Sequence, residues 1–154
     1  MKRTIAIILT LLACAKIQFA QSVNLVIEIN EKLVVEGLSA MCLRFGPDTE
    51  TNKFAVEYVP GELTLNEEIW KIINNDTSAR FSLHFDYSTF DKDKHQITNF
   101  HAELSPSILK QPYLILSIYD FRDKKYKRLY QWHTADNFLV ELRYPNSGVY
   151  IRKK

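Results

Sequence analysis

The chain has 154 residues, of which 46% are hydrophobic and 25% charged, with a formal net charge of +2. One domain of ordinary size fits that length. The composition excludes a disordered tail, a collagen-like rod and a multi-span membrane protein. Eight Tyr, nine Phe and two Trp against four Gly favour strands.

Residues 1–20 read as an export signal. Met1-Lys2-Arg3 is a basic start, and residues 4–13 form an uncharged apolar run of the kind a secretory leader carries. That run is about half of the roughly 20 residues a spanning helix needs. Charges interrupt every later apolar stretch, so no transmembrane helix is expected. Cleavage after Ala15 or Ala20 fits the small residues there. Leu11-Leu12-Ala13-Cys14 also resembles a lipoprotein box, which would place a lipid anchor on Cys14. The expected location is exported: periplasmic, outer-membrane-associated or secreted from a bacterial envelope. Cleavage removes Cys14 and lipidation blocks it, so Cys42 is left without a partner in the chain. Residues 21–154 are expected to form one domain.

Val23, Leu25, Ile27 and Ile29 alternate with other residues, which reads as a strand. Asn30-Glu31 is a turn. Residues 33–35 and 41–45 read as a second strand, bent or bulged at Gly37. Gly46-Pro47-Asp48 opens a loop to Asn52. Residues 54–59 make a third strand, stopped by Pro60-Gly61. A helix follows, with Thr64 as N-cap and Glu67 completing a capping box. Leu65, Ile69, Ile72 and Ile73 share its apolar face, and Asn74-Asn75-Asp76 ends it.

From Arg80 onward the pattern predicts three hairpins. The first pairs residues 81–87 with 97–104, the second pairs 113–121 with 126–132, and the third pairs 138–144 with 149–153. Eight or nine short antiparallel strands with one short helix give an all-β sandwich, with a β-barrel as the alternative.

Charge is distributed unevenly. Residues 21–109 carry 7 basic and 14 acidic side chains, a net of −7, and residues 110–154 carry 10 basic and 4 acidic, a net of +6. The halves are expected to attract each other within one domain. The alternative is a basic face for an acidic partner. Removing Lys2, Arg3 and Lys16 leaves 17 basic against 18 acidic residues, so a nucleic-acid partner is not expected.

Two constellations could carry chemistry. In the first hairpin, a turn centred between Lys92 and Asp93 sets His84 opposite His101, Asp86 opposite Asn99, and Ser82 opposite Glu103. Two imidazoles at cross-strand distance, with Asp86 and Glu103 nearby, are a candidate zinc or copper site. In the second hairpin, Leu114, Leu116, Ile118 and Leu129 form an aliphatic face. Tyr119, Tyr126, Arg128, Tyr130 and Trp132 fall on the other. That aromatic face is the candidate contact for a protein or carbohydrate ligand.

No phosphate loop, nucleophile elbow or zinc-protease motif is present. The expectation is a non-enzymatic exported binding or accessory protein that needs no cofactor. Two alternatives stand beside it: a metal-binding protein or metal-dependent enzyme built on the histidine hairpin, and a structural envelope component assembled by strand pairing.

Overall fold

The structure is a computed structural model describing residues 21–46, 52–91, 94–132, 134 and 136–147. The export signal, the Cys14 box and the strand expected at 149–153 lie outside the described residues.

Alternation dictates most of the strands. β1 (Gln21–Val23) and β2 (Leu25–Ile29) bury Val23, Leu25, Ile27 and Ile29, as the pattern requires. They are two strands rather than one, because they pair in different sheets. Asn30 and Glu31, with φ of 52° and 64°, form the two-residue turn into β3 (Lys32–Leu33). Positive φ at both centres matches the right-handed twist of the flanking strands.

β4 (Leu38–Phe45) follows, with its register shifted between Ser39 and Cys42. The single second strand expected over 33–35 and 41–45 is instead divided, since β3 and β4 lie in different sheets, and Gly37 stands at the break between them. Gly37 has φ +83°, and a Cβ there would sit 2.7 Å from the Ser88 carbonyl oxygen. Its own carbonyl accepts from Ser88 N at 2.8 Å. β5 (Lys53–Ala55) and β6 (Glu57–Val59) divide the expected third strand between two sheets.

The helix boundary differs from the sequence expectation. Thr64 and Leu65 belong to β7 (Glu62–Leu65), and the helix α1 (Glu67–Asn75) begins after Asn66. Asn66 Oδ1 accepts from Ile69 N at 2.9 Å and is the cap. Thr64 instead pairs with Ser22 and Glu57 across two ladders. Ladder bonds on both sides won over one capping bond. Glu67 and Glu68 still face the positive end of the helix. Ile69 and Ile73 are fully buried, a burial that stabilises by about 1.5–3 kcal/mol each.

β8 (Phe81–Asp91) and β9 (Lys94–Leu104) form the expected hairpin in the expected register. A short turn of helix, α2 (Pro106–Leu109), was not foreseen; Ser105 caps it and Pro106 opens it. β10 (Leu114–Asp120) is a strand as expected. The strand expected at 126–132 is instead mostly a helix, α3 (Lys124–Tyr130), and β11 (Phe138–Arg143) follows.

The described strands form three open sheets, ordered β1-β7-β6, β11-β10-β2-β3 and β5-β4-β8-β9. This is the all-β sandwich, without a closed barrel. Every pair is antiparallel except β2 with β10. One core unites the sheets and α1, with Leu63 and Leu65, Ile27 and Leu116, Leu83 and Phe85, and Ile69 among its members. Among the described residues no helix is long and apolar enough to cross a membrane.

Two substitutions test these local causes in urea unfolding. Asn66→Ala should cost about 1 kcal/mol through the lost cap. Gly37→Ala should cost at least about 1–2 kcal/mol, because an L residue resists that φ and its Cβ strikes the Ser88 carbonyl. An unchanged midpoint for either would refute the cause assigned to it.

Candidate functional site

The histidine hairpin has the geometry that its register implies. His84 pairs with His101, Asp86 with Asn99, and Ser82 with Glu103. The two imidazoles stack, with centroids 5.6 Å apart and planes 20° from parallel. Stacked rings do not aim their nitrogens at one point between them. Asn99 Nδ2 donates to Asp86, and the nearest carboxylate to His101 Nε2 is Asp136, at 4.0 Å. Cys42 lies across from His84 on β4 and is buried. Among the described residues no three His, Cys, Asp or Glu side chains converge to hold a metal ion.

The electrostatics of the pair work against charge. Burial, followed by the positive Arg44, His101 and Lys53, pushes His84 down from 6.5 to about 4. His84 is therefore neutral across physiological pH. The unfolded chain binds the extra proton between about pH 6.5 and 4. This contribution to stability is complete above pH 6.5 and is lost as pH falls towards 4. Titration of the His84 ring by NMR should give a midpoint near pH 4, and His84→Gln should flatten the stability profile over that window. A midpoint near 6.5 would show that the ring is not so placed.

The aromatic constellation is rearranged by α3. Asp123 caps the helix, its Oδ1 accepting from Lys125 N at 2.8 Å. Lys127 and Arg128 lie in its last turn, where the negative end of the helix dipole favours cations. A helix brings residues four apart together. Tyr126 and Tyr130 accordingly both pack on Tyr119 of β10, with centroids 5.5 and 4.8 Å away.

Tyr126 is buried and Tyr130 half-buried. The Tyr119 hydroxyl donates to Glu141 at 2.8 Å. Burial first and then this bond hold its pKa far above the ordinary phenol value, so it remains a donor. On the same face of β10 as Tyr119, Ser117 donates to Glu28 at 2.9 Å, and Arg143 pairs with the same carboxylate.

The five residues of the expected aromatic face thus divide. Tyr119, Tyr126 and Tyr130 form an internal stack. Arg128 and Trp132 face outward, with Trp132 82% exposed. Leu129, expected on the core face, is 51% exposed instead. The helix places it 100° from Arg128 rather than opposite it, so strand parity no longer applies.

Sequence reasoning did not anticipate a cleft of about 930 Å³, which runs between β9, the turn after β10, and α3. Arg122 stands at its wall, its Nε donating to Asp120 Oδ2 at 2.7 Å. A smaller cleft of about 540 Å³ shares Arg122 and Asp120 and extends to Lys32 and Tyr87. Arg122 was read only as part of a hairpin turn. The Asp123 cap and the helix-forming run Lys124-Lys125-Tyr126-Lys127-Arg128-Leu129 were the signal that could have exposed the cleft.

Compared with protein-family models, with curated proteins and with solved structures, the chain matches none.

Proposed function

We propose that this is an exported, non-enzymatic binding protein of the bacterial cell envelope whose ligand is a protein docked on the outward side of α3. Trp132 carries the reading. It is 82% exposed just beyond the end of the helix, where Leu129 in the last turn is 51% exposed and Arg128 is exposed too. Trp and Arg dominate the few residues that supply most binding energy in protein interfaces. A large apolar ring left in water gains about 25 cal/mol per Å² when a partner covers it.

The tyrosine stack supports the same reading from below. Tyr126 and Tyr130 hold α3 against Tyr119, so the outward groups stand on a base that need not be ordered on binding. A sugar platform at this face has less support, since three of its five expected residues stack on one another. Export rests on the basic start and apolar run of residues 1–20.

A photo-cross-linker at position 129 tests the docking face in living cells. One discrete protein adduct is expected, with loss of tenfold or more in affinity on Trp132→Ala. A cross-linker at exposed Val59 should give no such adduct. Equal adducts at both positions, or indifference to Trp132→Ala, would sink the reading. The mass of the protein from cell fractions should begin at Gln21 or at a residue after Ala15, or show a lipidated Cys14. An intact Met1 in the cytoplasm would overturn export.

A further inference from the structure

The 930 Å³ cleft lies within the range of about 300–1,000 Å³ typical of small-ligand sites. Among the described residues its wall is almost free of net charge. Arg122 and Lys127 contribute two positive charges, and Asp120 and Asp136 two negative ones. The Arg122 guanidinium is already committed to Asp120 through Nε and Nη2, so it offers no strong pull on an anion.

What the cleft does offer is hydrogen bonding of both senses. Three carboxamides line it, from Asn99, Gln131 and Asn137. Each carries two donors and a two-lone-pair acceptor in one plane. Asn99 is oriented by its bond to Asp86, and its carbonyl oxygen makes no hydrogen bond among the described residues. Thr134 adds a hydroxyl. Ile97, 58% exposed, supplies a patch of apolar wall.

A ligand that suits this wall is neutral, carries many groups that both donate and accept, and has apolar C–H faces. We infer that the cleft binds a neutral saccharide. The carboxamides of Asn99, Gln131 and Asn137 hold its hydroxyls, and Ile97 contacts a ring face. This site is separate from the docking face, because Lys127 and Gln131 line the cleft while Arg128, Leu129 and Trp132 do not.

Titration calorimetry of the purified protein tests it, with cellotriose and chitotriose as neutral probes. Trigalacturonate and inorganic phosphate serve as anionic ones. Saturable binding of a neutral trisaccharide is expected. Gln131→Ala and Asn137→Ala should each weaken it about tenfold, and Trp132→Ala, outside the cleft, should leave it unchanged. Thermal unfolding checks that each variant is folded, and Gln131→Ala, at the helix end, decides alone if Asn137→Ala is not. The inference is overturned by no saturable binding of either neutral probe, by binding of the anions only with loss in Lys127→Ala, or by neutral binding indifferent to Gln131→Ala. Loss of sugar binding in Trp132→Ala would move the sugar to the docking face and overturn the assignment to the cleft.

Discussion

The parallel pairing of β2 with β10 is the constraint on which the rest depends. Leu25 through Ile29 lie beside Leu114 through Ile118, so residues 30–113 form the connection between two adjacent strands. β10 is the middle of its sheet, with β11 on its other side. Leu114, Leu116 and Ile118 are buried on one face, and Ser117, 2% exposed, on the other. The core covers the first face. On the second, Glu28 and Arg143 bond to Ser117, and α3 packs its tyrosines on Tyr119.

That double burial brings the oppositely charged halves of the chain together. Glu28 and Glu31 belong to the acidic half, and Arg143 and Lys125 to the basic one. Arg143 pairs with Glu28 on the outer face of the sheet, and Lys125 reaches Glu31 at 3.0 Å. The second pair is exposed and contributes little. The first is partly covered and shares its carboxylate with Ser117, so removing either partner would leave a shielded charge uncompensated. Attraction between the halves thus has a specific place, at the outer face of the β2-β10-β11 sheet.

The helix α3 joins this sheet to both candidate sites. Its inward tyrosines cover the outer face of β10. One side supplies Lys127 and Gln131 to the cleft, and its outward side presents Arg128 and Trp132. Seven residues are too few for a helix to be stable alone in water. Its stability must come from Tyr126 and Tyr130 packing on Tyr119 and from the Asp123 cap. Both candidate sites therefore depend on the same tyrosine stack.

Elements whose periodicity is unambiguous were legible before folding was considered. Alternation over Phe81, Leu83 and Phe85, answered by Phe100, Ala102 and Leu104, fits only a strand period, so the hairpin and the His84–His101 register were legible. The same holds for the buried face of α1. At Lys124–Tyr130 the text is double: Tyr126 and Tyr130 are two steps of a strand pattern and one step of a helix. Local propensity and a cap leaned to helix, but only Tyr119 beneath it decided which period was used. The α1 cap at Asn66 rather than Thr64 was decided in the same way, by ladder partners distant in sequence. The cleft was invisible for the same reason: Asn99, Arg122, Gln131 and Asn137 lie on different elements, and tertiary packing alone brings them to one wall.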